Sequence, residues 1–270
     1  MKLEGKVALV TGTSPNIGGG IVEGLVAEGA AIIAVDAVDA NALDCANAVK
    51  AAGGRAIGVT CDVTDEAQVK HAVDAGLDAF GQIDILVNNA AIFNKKGVVE
   101  MSYAEWQRQT SIILDGAFLF TKYVSAGMID RGHGVIVNII STAGHQGEPG
   151  NIAYSTSKGA LMNFTRSAAM ELVGYGIRVV SMTPTATDPD EQFERGRRWG
   201  RDVTAPPGLS DAMANFAKRI PMQRLPKPSD YGRAIAFLVS DDAAMITGSD
   251  LRVDAGAVAR YWAWDPRDPL

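Results

Sequence analysis

Residues 6–20 read KVALVTGTSPNIGGG, in which a short apolar run is followed by a turn that contains Gly12 and by three consecutive glycines. The run at 6–10 is rich in branched apolar residues, which is typical of a buried strand. A helical pattern of apolar residues occupies 17–28. A strand, a glycine turn and a helix in this order predict the first unit of an α/β sheet.

Six more short apolar runs alternate with helical patterns along the chain. Their apolar character is nearly continuous rather than alternating, as a parallel sheet covered by helices on both faces requires. The predicted strands are 6–10, 31–35, 56–60, 83–87, 135–140, 178–182 and 251–253. The predicted fold class is therefore α/β, with a doubly wound, parallel, seven-stranded sheet.

The predicted helices are 17–28, 39–52, 64–80, 103–131, 154–175 and 229–240, with Thr64 as the N-cap of the third. The stretch from 184 to 228 departs from this rhythm because it carries seven prolines together with glycines and mixed charges. We interpret about 185–228 as a lid inserted above the sheet. No linker interrupts the pattern, so 1–270 is expected to form one domain.

The composition excludes several classes of protein. With 47% hydrophobic residues the chain is not disordered, and a net charge of -6 argues against nucleic acid or an anionic membrane as a partner. The charged start is unlike a signal peptide, and apolar runs stop short of the roughly 18 residues that span a bilayer, so we expect a cytoplasmic protein. Cys45 and Cys61 are too few for a disulfide scaffold, and three histidines without ligand spacing predict no metal site.

The turn after the first strand resembles a dinucleotide-binding turn. In such folds the first glycine makes the tight turn, and the helix N-terminus then receives a pyrophosphate. Asn16 stands where the middle glycine is usual, and Asn is the residue that best replaces glycine in the left-handed conformation. The predicted cofactor contacts of this turn are Gly12, Ser14, Asn16, Ile17 and Gly18.

Asp36 ends the second strand at the spacing of about 20 residues where an acidic side chain accepts from the ribose hydroxyls of the adenosine. The same carboxylate would repel a 2′-phosphate. Neither Pro15 nor Ala37 offers a cation to such a phosphate. The alternative is an ordinary capping Asp, but the combination predicts NAD rather than NADP as the cofactor.

Tyr154 and Lys158 are four residues apart and therefore lie on one face of the predicted helix. Because a free tyrosine titrates near pH 10, a neighbouring ammonium is needed if it is to act as an acid or base near neutrality. Ser141, thirteen residues before Tyr154, ends the fifth strand and could hold a carbonyl or hydroxyl oxygen. Ser141, Tyr154 and Lys158 are the predicted catalytic residues.

These residues together resemble the short-chain dehydrogenase/reductase family. The resemblance covers nearly the whole chain and is carried by residues 11–18, Asp62-Val63, Asn88-Asn89-Ala90, Ser141, the Tyr154 and Lys158 pair, Val253-Asp254 and Gly256. It implies a Rossmann sheet of order 3-2-1-4-5-6-7, NAD(P)-dependent interconversion of an alcohol and a carbonyl, and a homotetramer or homodimer. It also implies cofactor contacts from Asp62, Val63, Asn89, Tyr154, Lys158, Pro184 and Thr187, with Lys158 binding the nicotinamide ribose and lowering the pKa of Tyr154.

The chain departs from the family pattern at Asn16, at Thr185 after Pro184, and at Ile113, where an asparagine is usual in the family. In the family, a proton relay is thought to run through the backbone carbonyl of that residue. Any residue supplies a carbonyl, so Ile113 can serve if the helix at 103–131 opens locally. Gly116 or the hydroxyl of Ser111 could help to hold it open.

Substrate contacts are predicted from the loop after Ser141 and from the lid: His145, Gln146, Phe193 and Trp199. A lid arginine could meet a substrate carboxylate or phosphate, although a solvated amphipathic helix explains the same charges. Tyr261, Trp262 and Trp264 near the end are interpreted as a subunit contact.

The predicted activity is NAD-dependent interconversion of a secondary alcohol, cyclic, aromatic or otherwise apolar, and its ketone. The alternatives are a 3-oxoacyl thioester reductase and a catalytically inactive nucleotide-binding scaffold.

Overall fold

The computed structural model describes residues 1–261 and 265–267, which form a seven-stranded sheet flanked by helices. The strands are β1 (Val7–Thr11), β2 (Ala31–Asp36), β3 (Ala56–Thr60), β4 (Ile85–Asn88), β5 (Gly134–Ile139), β6 (Ile177–Pro184) and β7 (Asp250–Val253). The α-helices are α1 (Ile17–Ala27), α2 (Asp39–Ala51), α3 (Glu66–Phe80), α4 (Tyr103–Thr110), α5 (Gly116–Arg131), α6 (Ile152–Leu172), α7 (Asp190–Arg198), α8 (Leu209–Ala217) and α9 (Pro228–Val239).

All seven strands pair in parallel in the order β3-β2-β1-β4-β5-β6-β7, which confirms the predicted sheet. The central strands are buried along their whole length because helices cover both faces. On one face the core is formed with α1, α2 and α9, and on the other with α3, α5 and α6. The carboxyl ends of the strands therefore meet at one edge, where ligands bind in open α/β sheets.

The glycines that follow the first turn allow α1 to pack closely against α9. A Cβ on Gly20 would lie 2.4 Å from the carbonyl oxygen of Pro228, and a Cβ on Gly232 would lie 2.2 Å from the carbonyl oxygen of Gly20. No side chain fits at either position. This contact holds the end of the proline-rich stretch beside the N-terminal half of α1.

The third helix begins later than predicted, and its N-cap is Asp65 rather than Thr64. The Asp65 carboxylate accepts from the backbone N–H groups of Ala67 and Gln68. Thr64 instead donates its backbone and hydroxyl hydrogens to Asp62. Asp65 is better placed for the cap because a carboxylate there also meets the positive end of the helix.

The long helix predicted at 103–131 is interrupted by a π-helical turn, Ser111–Asp115, between α4 and α5. Within it the Gly116 N–H donates to the carbonyl of Ser111, five residues earlier. The local opening that Ile113 requires is therefore present, and Ile113 lies inside it. In the described part of the chain this helix alone has the length and apolar composition of a membrane span, and it packs on the sheet through Phe120, Val124 and Met128.

Residues 185–228 contain two short helices, α7 and α8, joined by irregular chain. The first, α7, packs against α1 and α9. At the end of the chain, Trp262 and Trp264 lie outside the described residues, while Tyr261 is 65% exposed.

Candidate active site

A cavity of about 420 Å³ lies at the carboxyl edge of the sheet. It is lined by twelve of the thirteen predicted cofactor residues: Gly12, Ser14, Asn16, Ile17, Gly18, Asp36, Asp62, Val63, Asn89, Tyr154, Lys158 and Pro184. The exception is Thr187, whose hydroxyl donates to the carbonyl of Thr185 and contacts the Tyr231 hydroxyl at 3.2 Å. Thr187 does not line the cavity, and its hydroxyl is hydrogen-bonded within the protein.

The glycine turn is shaped by backbone packing. Gly12 has a φ of +71°, and a Cβ on Gly18 would lie 2.0 Å from the carbonyl oxygen of Gly12. Asn89 directly follows β4, the neighbour of β1 in the sheet. Its side-chain amide holds the turn by donating to the carbonyls of Thr11 and Gly12 at 3.1 and 2.8 Å. The start of α1 therefore lies at the cavity, which Ile17 and Gly18 line.

Asn16 does not adopt the left-handed conformation expected for it. Its φ of -79° and ψ of -130° lie outside that region, and Gly12 supplies the positive φ of the turn instead. The side-chain oxygen of Asn16 is buried without a hydrogen-bond partner. Since buried polar atoms are nearly always satisfied, this one fits a site that receives a polar ligand.

Asp36 is the last residue of β2 and lines the cavity on the other side of β1 from Tyr154. One of its carboxylate oxygens accepts from the Val38 N–H at 2.9 Å and from the Asn41 amide at 3.2 Å. Asn41 also lines the cavity and was not predicted. Asn41 lies in the first turn of α2, five residues after Asp36, and this position could have indicated it.

One cation that the sequence neighbours of Asp36 do not reveal, Arg108, lines the same cavity. Arg108 belongs to α4 and approaches Asp62 at 3.5 Å. It is four residues before Ile112, another lining residue, so both lie on one helix face. Asp62 also accepts from the backbone and hydroxyl of Thr64, and these hydrogen bonds lower the pKa of its carboxyl.

The structure brings the three predicted catalytic residues together. Ser141 follows β5; its hydroxyl accepts from the Ala143 N–H and lies close enough to the Tyr154 hydroxyl to lower the pKa of that tyrosine. Lys158 lies one turn after Tyr154 on α6, with its Nζ 5.6 Å from the centre of the tyrosine ring. The Lys158 ammonium is buried and donates to the carbonyl of Ile139 at 2.6 Å.

The electrostatics of this pair differ from the expectation that Lys158 lowers the pKa of Tyr154. Burial raises the pKa of Tyr154, and the hydrogen bond from Ser141 opposes this only in part. Burial also lowers the pKa of Lys158 to about 7, so its positive charge is incomplete at neutral pH. In the protein by itself, Tyr154 therefore holds its proton.

Phe93 is a site residue that the sequence did not reveal. Its ring meets Tyr154 edge-on, with 5.2 Å between the ring centres, although 53% of Phe93 is exposed. Ile92 beside it lines the cavity and is 40% exposed. They lie in the irregular loop after β4, where no periodicity marks a side chain as important.

The predicted substrate residues do not meet at the Tyr154 cavity. His145 contacts the Thr183 hydroxyl at 3.0 Å and the Asp250 carboxylate at 3.3 Å, and Gln146 lies with it in a shallow depression beside Ser155. Trp199 lies in a separate cavity between α1 and α2, because it packs against the core on that side. Phe193 is half-buried on α7 and is not a lining residue of the Tyr154 cavity.

Three of the lid arginines are paired with carboxylates of the chain itself. Arg195 and Arg198 both pair with Glu23, and Arg201 pairs with Asp44. Within 1–261 and 265–267, no three His, Cys, Asp or Glu side chains are grouped so that they could hold a metal ion.

A parallel sheet in this order, a glycine turn at its carboxyl edge and a Ser–Tyr–Lys group define a dinucleotide-binding oxidoreductase. The protein-family model described as enoyl-(acyl carrier protein) reductase matches residues 12–258. The chain is 38% identical to D-threitol dehydrogenase of Mycolicibacterium smegmatis over 260 residues, with 94% of each chain covered. It is 37% identical to cis-4-hydroxycyclohexanecarboxylate dehydrogenase of Sinomonas cyclohexanicum over 256 residues, covering 94% of this chain and 97% of that one.

Among solved structures, the chain is similar to NAD⁺-bound xylitol dehydrogenase, with a TM-score of 0.83 and 34% identity. That match covers 94% of this chain and 99% of the other. The protein belongs to the short-chain dehydrogenase/reductase family, as its motifs predicted, and is an oxidoreductase of the kind that binds NAD(P).

Proposed function

We propose that this protein is an NAD-dependent dehydrogenase that interconverts a secondary alcohol and its ketone. The observation that carries the proposal is a single cavity that is lined both by Tyr154 and Lys158 and by Asp36, with Ser141 beside Tyr154. The solved relative with bound NAD⁺ supports the choice of cofactor.

The residues of the cavity fit a dinucleotide. The start of α1 and the glycine turn would hold the pyrophosphate, and the Asp36 carboxylate would accept from the adenosine ribose hydroxyls. Lys158 makes one hydrogen bond to the described residues, which leaves two ammonium hydrogens for the nicotinamide ribose. NAD, when bound, supplies the hydride acceptor of the reaction.

Tyr154 would move the proton. In the reduction direction its hydroxyl, held in the protonated form by burial, gives a proton to the carbonyl oxygen of the substrate. In the oxidation direction the deprotonated tyrosine takes the hydroxyl proton of the alcohol. Ser141, beside Tyr154, would hold the same substrate oxygen and so fix its distance from the tyrosine.

An apolar or ring-bearing substrate is favoured by the side chains beside Tyr154. Phe93 and Ile92 present exposed apolar surface at this end of the cavity. Exposed aromatic surface next to a reacting group is a common contact for rings. One relative is named for a hydroxylated cyclohexane ring, whereas two others are named for polyols, so a ring alcohol and a polyol are the first substrates to compare.

The test is Tyr154→Phe, with Tyr103→Phe as a control because Tyr103 lies at the start of α4 and is 74% exposed. We expect turnover of an alcohol panel with NAD, followed at 340 nm, to fall by about 10² to 10⁴ in Tyr154→Phe and to be unchanged in the control. NAD binding measured by calorimetry should persist in both. Near-normal turnover in Tyr154→Phe would contradict the proposal.

The expected assembly is a homotetramer or homodimer, supported by apolar side chains exposed on α5, on α6 and directly after α6: Phe118, Met170 and Val173. A cytoplasmic location is supported by the buried, free thiols of Cys45 and Cys61.

A further inference from the structure

Arg195 is a buried arginine outside the catalytic group. It lies on α7 with 1% of its surface exposed. Its Nη1 donates to the carbonyl of Pro15 at 2.7 Å, and its Nη2 donates to the Glu23 carboxylate at 2.5 Å. Arginine is rarely buried unless it is paired, so this position serves a specific contact.

The contact is with the glycine turn of the cofactor cavity. Pro15 lies between two lining residues of that cavity, Ser14 and Asn16. The Arg195 side chain reaches it by crossing α1 at Gly19, where an added Cβ would lie 2.6 Å from the Arg195 Cδ. The glycine at 19 thus makes room for a side chain that comes from about 180 residues later in the chain.

A second arginine of the same segment reaches the opposite end of the cavity. Arg201 donates to the Asn41 side-chain oxygen at 2.7 Å and to the Asp44 carboxylate at 2.8 Å. Asn41 in turn donates to Asp36 at 3.2 Å. Trp199, between the two arginines, packs against the core and lies under the Arg201 guanidinium.

We propose that residues 190–201, which we name the clamp segment, hold both ends of the dinucleotide site from outside through Arg195 and Arg201. The inference rests on the proposed use of a dinucleotide. Because Arg195 fixes the turn and Arg201 fixes Asn41 beside Asp36, docking of the clamp segment prepares the site for the cofactor. By linkage, cofactor binding must stabilise the docked segment by the same factor.

Arg195 and Arg201 are therefore positioning residues that act through Pro15 and Asn41, and they touch no reacting atom. A purely structural ion pair would affect stability alone, whereas the loss of Arg195 or Arg201 should also weaken NAD binding. The test uses Arg195→Met and Arg201→Met, with Arg197→Ala as the control, since Arg197 is exposed on the same helix. Thermal unfolding verifies that each variant is folded before it is compared.

The first measurement is NAD affinity by calorimetry on the full chain. We expect Kd to rise tenfold or more in Arg195→Met and severalfold in Arg201→Met, with no change in Arg197→Ala. The second is the rate of chymotrypsin cleavage after Phe193 and Trp199, with and without NAD. NAD should slow this cleavage in the parent, and Arg195→Met should be cleaved faster even when no NAD is present.

The proposal is overturned if folded Arg195→Met and Arg201→Met bind NAD within twofold of the parent, or if NAD leaves the cleavage rate of the parent unchanged while it binds. If Arg195→Met does not fold, Arg201→Met decides by the same two readouts, because Arg201 is only half-buried and its loss disturbs the fold less. A parent that binds no NAD would instead contradict the proposed function, and cleavage without NAD would still report whether Arg195 holds the segment in place.

Discussion

Lys158, which we propose to be catalytic, lowers the stability of the folded protein because its ammonium is buried. Its ammonium is fully buried, and burial lowers its pKa to about 7 from the ordinary value near 10.4. Between these two pH values the unfolded chain binds more protons at this residue than the folded chain does. The contribution of Lys158 to stability therefore rises with pH across that window, and below about pH 7 the full penalty of burying the charge applies.

Lys158→Met should accordingly be more stable than the parent at pH 7, on the order of 1–3 kcal/mol after the lost hydrogen bond to Ile139 is allowed for. The advantage should shrink as the pH rises from 7 towards 10, because the lysine of the folded chain is then neutral and the penalty of burying its charge is lost. Denaturant unfolding at several pH values measures this, and Lys122→Met at an exposed salt bridge is the control. A variant less stable than the parent at pH 7 would show that the ammonium is stabilising.

We propose that the Asp36 carboxylate selects NAD over NADP. Asp36→Ala should weaken NAD binding by roughly tenfold or more, because a charged acceptor for two hydroxyls is lost, and it should improve the relative use of NADP. Asp39→Ala removes the same charge three residues later, where the carboxylate accepts from Thr60, and should change neither. Equal catalytic efficiency of the unaltered protein with NAD and NADP would refute this assignment.

At the scale of elements, the π-helical turn Ser111–Asp115 forms without the asparagine that is usual in the family at position 113. Ile113 is 2% exposed and packs with Ala117, Ile140 and Leu161. The helix therefore opens at this turn although the side chain at position 113 is apolar and packed in the core. π-helical turns are frequent at functional sites because they leave backbone groups free of the regular pattern.

Ile113→Asn should lower stability by about 1–3 kcal/mol, since it buries an amide where Ile113 packs, and should leave turnover within about tenfold. Asp115→Asn is the control, because Asp115 is exposed in the same turn. Melting temperature and turnover are the two measurements. A large gain in turnover from a nearly inactive parent would favour the scaffold alternative.

At the scale of the whole molecule, the exposed apolar side chains of α5 and α6 bear on assembly. Phe118 is 49% and Met170 65% exposed, and both helices cover the same face of the sheet. A double change to Glu at these positions should reduce the assembly to the 28.4 kDa chain in sedimentation, because charges would be buried in the contact. Met245→Glu, at a 96% exposed methionine elsewhere, is the control. An unchanged sedimentation profile would exclude this face as the contact.

The local patterns of the sequence were enough to predict the parallel strands, the glycine turn at 12–18 and the shared helix face of Tyr154 and Lys158. Strand and helix periodicities, and the backbone demands of a turn, act over a few residues and can be read directly. Asp36 could be predicted for the same reason, because its place at the end of β2 follows from the length of one strand–helix unit.

Only the tertiary structure decided which side chains of the irregular segments reach the site. Phe93 comes from a loop without periodicity, and Trp199 packs between α1 and α2 instead of beside Tyr154. Arg195 and Arg201 contact residues far away in the sequence, through space that Gly19 leaves open. Such contacts depend on how separately formed elements fill the volume between them, and that volume exists only once the sheet and its helices have packed.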